Sequence, residues 1–213
     1  MAKGNELLIE YMISIIENRD FSAEHHCEKV RRLTEVLLEK VMQYCPEYHL
    51  TEKRCEEIAF AAMLHDMGKI AVPDRILQKP SRLTFDEIQI VNNHTRKGRH
   101  IFEHVLKTMS EEDEDYSLFQ CCAEVCMYHH ERFDGEGYPI GLKKDEIPIS
   151  AQVVGLADAY DALISERIYK PAYSKEEAFD MIVDGKCGIF NPRLIEIFLM
   201  VRMELEEIQE MIG

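Results

Sequence analysis

Apolar side chains recur at three- and four-residue intervals through Leu7 to Ile16, Val30 to Val41, Ile58 to Leu64, Phe119 to Met127, Val153 to Leu163 and Leu194 to Met203, the spacing of a buried helix face. The alternation that marks a half-buried strand is almost absent. Thr51 ahead of Glu52, and Thr84 ahead of Phe85, Asp86 and Glu87, read as N-caps followed by acidic first turns that suit the helix dipole. Pro73, Pro80, Pro139, Pro148, Pro171 and Pro192 fall between the periodic stretches, and Gly135, Gly137 and Gly141 crowd one loop. The pattern predicts an all-α, single-domain bundle of roughly seven to nine helices joined by punctuated loops.

The 213 residues, 46% of them hydrophobic, suffice for one sizeable core without disulfides. No internal repeat or long linker is visible. Seven cysteines with no CxxC pair, mostly inside helical stretches, fit a reducing compartment and packed thiols, the adjacent Cys121 and Cys122 included. No apolar run approaches the ~20 residues of a membrane span, and MAKGNELLIEY lacks the layout of a signal peptide, so the expectation is a soluble, cytoplasmic protein. A formal charge of −15 argues against DNA and anionic membranes as partners. It leaves room for a small anionic substrate, because metal ions beside Lys69, Arg167 and Lys170 would reverse the local potential. The acidic run Ser110 to Asp115 is read as a solvated loop.

The chemistry-bearing residues are concentrated. His65 and Asp66 are adjacent in LHDMGKIAVPD, His129 and His130 open HHERFDGEGYP, His94 lies between these runs and Asp158 follows them. Six such nitrogen and oxygen donors suit divalent metals and are too many for one closed site. A carboxylate such as Asp66 can bridge two cations, so the set suits a dinuclear centre that activates water against a phosphate ester. On helices, His65 and Asp66 would point about 100° apart and straddle two neighbouring metals, as would His129 and His130. Gly68 is expected to end the first of these helices and let Lys69 turn toward the metals' ligand.

LHDMGKIAVPD, HTRKG, HHERFDGEGYPIGL and LADAYDALISERIYK together resemble the HD-GYP branch of HD-domain metal-dependent phosphohydrolases, Gly137, Tyr138 and Pro139 being the tripeptide. The resemblance runs from about Arg19 to beyond Pro192, giving an expected helical extension at 1–18 and an HD-GYP domain at 19–213. It implies a helical fold, a site of two or three iron or manganese ions, and hydrolysis of cyclic di-GMP. The implied ligands are His65, Asp66, His94, His129, His130 and Asp158. By the same resemblance Lys69 faces the scissile phosphate, while Arg167 and Lys170 grip phosphate. Lys69, Asp66 and Asp161 form the expected catalytic set, Asp161 by orienting a ligand or Lys69.

RDFSAEHHCEKV places His26 on the branch's N-terminal histidine, but the glutamate of three-metal members is replaced by Ser22, a poor ligand. Glu24 would point to another face of a helix. The expectation is therefore two metals, iron first and manganese next, with His26 near the site but unligated and His25 facing solvent. GKCGIFNP, residues 185–192, replaces the branch's usual ending, and Cys187 is read as an inert packed thiol. A different reading makes the chain a signalling module that docks diguanylate cyclase domains through the GYP loop. A phosphohydrolase for another cyclic dinucleotide, or for linear pGpG, is a further alternative.

Overall fold

The structure is a computed structural model that describes residues 11, 13–15, 17, 19, 25–165 and 172–212. Arg167, Lys170, Ser22 and Glu24, and most of the stretch from Leu7 to Ile16, lie outside the described residues. Between residues 26 and 212 the structure has ten α-helices and three short 3-10 turns, with one isolated bridge between Lys186 and Gly188, and the described residues 11, 13–15, 17 and 19 are helical too. The α-helices are α1 (His26–Tyr44), α2 (Glu52–Met63), α3 (Asp74–Leu77), α4 (Phe85–Asn92), α5 (His94–Leu106), α6 (Tyr116–Tyr128), α7 (Ile149–Ile164), α8 (Lys175–Val183), α9 (Pro192–Met200) and α10 (Arg202–Ile212). None is long and apolar enough to cross a membrane.

The expected helix starts are present. Thr51 Oγ1 accepts from Arg54 N, and Thr84 forms a reciprocal capping box with Glu87. The periodic stretch Leu194 to Met203, expected as one helix, divides at Val201 (φ −97°, ψ 15°). The apolar pattern cannot see this break, because Leu194, Ile197, Phe198, Val201 and Leu205 stay buried on one side straight through it. This division and the four-residue α3 bring the count to ten.

Helix α7 is the centre of the molecule. Thirteen of its sixteen residues are buried, as expected of a helix that is apolar nearly all round. It packs against α1, α2, α6 and α8, while α5 packs on α6 and α2 packs on α1 and α6. Tyr160 of α7 joins Phe179 and Phe198 in a buried aromatic group with centroid separations of 4.3–5.4 Å. Five of the seven cysteines are buried, and burial pushes the Cys121 thiol up to about 12, as expected of thiols that pack. Ser110 to Asp115 forms exposed turns, mostly solvated.

This packing brings several helix ends to one place, where helix termini meet the inward face of α7. Two close backbone approaches make it possible. A Cβ on Gly68 would lie 1.8 Å from His94 O, so only glycine lets the turn after α2 rest on the start of α5. A Cβ on Gly155 would lie 2.2 Å from His129 O, so glycine lets α7 approach the end of α6.

Candidate metal centre

His65 and Asp66 do not sit within a helix. Helix α2 stops at Met63, the two residues occupy the turn that follows, and Met67–Ala71 forms a 3-10 turn. Gly68 therefore does not terminate the helix; its role is the close approach to α5. Leaving helical geometry frees the two side chains to converge. His129 is the C-cap of α6, His94 begins α5, His26 begins α1, and Asp158 comes from the middle of α7.

Three of the imidazoles are oriented by a backbone carbonyl on the far nitrogen. Nδ1 of His65 lies 2.7 Å from Ala62 O, Nδ1 of His94 2.8 Å from Val91 O, and Nδ1 of His129 2.9 Å from Val125 O. A carbonyl only accepts, so these Nδ1 atoms carry a proton and donate it, leaving Nε2 of each ring turned into the cluster. Those nitrogens are crowded together. His94 Nε2 and His129 Nε2 are 3.5 Å apart, and His26 Nε2 and His65 Nε2 are 3.3 Å apart.

The carboxylates complete the set. Asp66 Oδ1 lies 3.1 Å from His94 Nε2, while its Oδ2 lies 3.3 Å from His65 Nε2 and 2.7 Å from Lys69 Nζ. Asp66 thus turns one oxygen to each half of the cluster. Asp158 Oδ1 is 3.4 Å from His26 Nε2 and 3.7 Å from His65 Nε2. His130 contributes a donor atom within 4.8 Å of those of Asp66, His94 and His129.

These donors fit divalent cations. The facing Nε2 lone pairs of His94 and His129 repel unless a cation lies between them, a metal would take the place of the proton His65 holds, and buried Asp66 Oδ1 has no hydrogen-bond donor, because the His94 proton is committed to Val91 O. Three overlapping groups can each hold an ion: Asp66, His94, His129 and His130; His26, His65 and Asp66; His65, His129 and Asp158. Asp66, His65 and His129 each belong to two groups, which is the sharing a multinuclear centre requires.

Electrostatics within the cluster are strongly perturbed. Burial opposes charge on His65, but Asp66 and Asp158 outweigh it and push its pKa up to about 9. Burial lowers His129 to about 3, helped by the neighbouring His65 and His94. His130 is driven well below its ordinary value by the same burial and by His129. Burial works against ionised Asp66, yet Lys69 and His65 hold it well below the usual carboxylate range.

The structure draws His65, Asp66, His94, His129, His130 and Asp158 into one cluster and sets Lys69 against Asp66. His26 was expected near the cluster, and its Nε2 lies 3.3 Å from His65 Nε2, the ring aimed by Asp161 Oδ2, which accepts from His26 Nδ1 at 2.6 Å. Asp161 thus orients a donor residue rather than Lys69. His25 is the exposed, left-handed residue (φ 57°) just before α1.

Sequence reasoning missed Glu131. Buried, it accepts from the backbone N–H groups of Ile140, Gly141 and Leu142 at 2.8–3.2 Å and so ties down the GYP loop. The available signal was a carboxylate directly after the paired histidines, ahead of a glycine-rich loop. Tyr138 then stacks on His130, with centroids 4.6 Å apart. Arg132 was missed too; it donates to His129 O and Cys187 O and lies over the Phe190 ring, joining the paired histidines to residues 185–192. A cleft of about 450 Å³ opens beside the cluster, lined by His94 of the cluster and by Gly68 and Tyr138.

An all-helical bundle that gathers buried histidines and aspartates in this way has the donor set of a divalent-metal site. Residues 11–194 match the HD domain family. A cyclic di-GMP phosphodiesterase of Thermotoga maritima is 38% identical over 201 residues, 94% of this chain and 50% of that protein. The cyclic di-GMP phosphodiesterase response regulator RpfG of Xanthomonas campestris is 35% identical over 193 residues, 91% of this chain and 47% of that protein. A 3′3′-cGAMP-specific phosphodiesterase of Vibrio cholerae is 35% identical over 172 residues, 79% of this chain and 31% of that protein. The chain belongs to the HD domain family, in its HD-GYP branch. It spans about half the length, or less, of these relatives.

Proposed function

We propose that this chain is a metal-dependent phosphodiesterase that hydrolyses cyclic di-GMP, with two divalent ions in the cluster, iron first and manganese next. One observation carries the reading: Asp66 turns its two oxygens to two halves of a buried cluster in which imidazole Nε2 atoms lie 3.3–3.5 Å apart. Two of the relatives described above are named for action on cyclic di-GMP, which supports that substrate.

His65, Asp66, His94, His129, His130 and Asp158 would hold the ions, with His26 completing the second half of the cluster. Bound divalent ions would supply Lewis acidity and lower the pKa of a water toward neutrality. Lys69, 2.7 Å from Asp66, brings a cation to the cluster's edge, where it stabilises charge on a phosphate's non-bridging oxygens. Asp161 keeps the His26 ring and its proton fixed. Glu131 and the Tyr138–His130 stack hold the GYP loop over the site. That loop is built into the centre through these contacts, which favours a catalytic over a purely docking role. Arg167 and Lys170 are assigned to phosphate binding by their place in the motif.

The test is product analysis. Metal-loaded protein incubated with cyclic di-GMP should yield pGpG or GMP, and a chelator should stop the reaction. Unchanged cyclic di-GMP after prolonged incubation with fully loaded protein would overturn the assignment.

A further inference from the structure

The cleft beside the cluster has a chemistry of its own. Its volume of about 450 Å³ lies in the range, roughly 300–1,000 Å³, of pockets that hold small ligands. The apolar residues Val72, Ile90 and Pro139 line it together with the amides of Gln89, Asn92 and Asn93 and the cations Arg96 and Lys97. Apolar walls with a few polar groups are what a flat heteroaromatic ring with a hydrogen-bonding edge requires.

Helix α4 supplies Gln89, Ile90 and Asn92 to this lining. None of its residues is buried; its start carries the Thr84 capping box, and the Lys79–Glu87 ion pair at 2.6 Å ties it to the preceding loop. Arg96, on α5, is likewise fixed, its Nη2 donating to Pro139 O at 2.9 Å across the cleft mouth. Guanidinium carries five N–H donors, so others remain for a ligand.

We propose that this cleft is a base subsite for a cyclic dinucleotide and that Arg96 makes it select guanine. The inference rests on the phosphodiesterase reading to place a phosphate at the cluster; the neighbouring base then reaches the cleft, which begins at His94 and Gly68. Amides complement either purine, because each offers both a donor and an acceptor. The cation discriminates: guanine presents two acceptors, O6 and N7, to a guanidinium, whereas adenine places an amino donor where O6 would be. Lys97 adds positive charge at the same rim.

The experiment measures affinities by titration calorimetry on metal-loaded protein, using slowly hydrolysed phosphorothioate analogues of cyclic di-GMP and cyclic di-AMP. Wild type should prefer the guanine analogue, and Arg96→Ala should reduce that preference by about 10- to 100-fold, the span of one bidentate base contact. Arg96→Lys should restore part of it, and circular dichroism with metal analysis identifies any misfolded variant. Equal weakening of both analogues would make Arg96 a phosphate grip and overturn the proposal, as would an unchanged ratio or a wild type without preference. Hydrolysis of natural cyclic di-GMP, followed on the same samples, judges the phosphodiesterase reading separately. Guanine-selective binding without cleavage would sink that reading and leave the subsite standing.

Discussion

Asp66 is the residue on which the most geometry converges. Its two oxygens face different histidines, Lys69 pairs with one of them, and the other has no donor. Asp66→Ala removes the shared ligand, so metal content should fall by at least one ion per chain and hydrolysis by more than about 100-fold, with helical circular dichroism retained. Full metal occupancy in the variant would remove Asp66 from its bridging role. His65 gives a second residue-scale expectation. In the metal-free protein its pKa is raised to about 9, so the proton it holds stabilises the fold below its unfolded value near 6.5, and that contribution is lost as pH rises through about 9. A metal must displace this proton. Metal titrations near pH 7.5 in buffers of different ionisation enthalpy should therefore show proton release, and affinity should rise with pH toward 9. Binding with no proton released would show that His65 does not give up its proton to a metal.

At the scale of elements, the site depends on where helices stop and how closely their backbones approach. The motifs made the donor residues legible in sequence, and the Thr51 and Thr84 caps were visible from their acidic followers. What could not be read was local geometry. His65 and Asp66 looked helical because apolar periodicity runs through Leu64, yet α2 ends before them. Glu131 stayed hidden because its partners are backbone N–H groups, which leave no side-chain pattern. The role of Gly155 was invisible for a related reason: its value lies in the missing Cβ against His129 O. Gly155→Ala should force α7 away from the end of α6, lowering stability by about 1–3 kcal/mol in denaturant unfolding and weakening metal binding through the displaced Asp158. Wild-type values of both would show that the helices can part without cost to the centre.

Across the whole molecule, the fold class was legible because one strongly apolar helix, α7, organises the others, and period 3.6 dominates wherever residues are buried. The cleft was not legible. Its lining comes from the turn after α2, from α4 and α5, and from the GYP loop, segments spread from Gly68 to Pro139 that only tertiary packing assembles. The acidic surface implied by a charge of −15 makes the local cations Lys69, Arg96 and Lys97 more consequential, since an anionic ligand has to be drawn in against the mean field.

The central claim, that the buried histidine and aspartate cluster is a two-metal hydrolytic centre, is tested most directly by titrating ferrous or manganous ion into chelator-treated protein and following bound metal and cyclic di-GMP cleavage on the same samples. Cleavage should be absent without metal and should appear as occupancy climbs toward about two ions per chain. Cleavage at full rate with less than about half an equivalent of metal bound would contradict it.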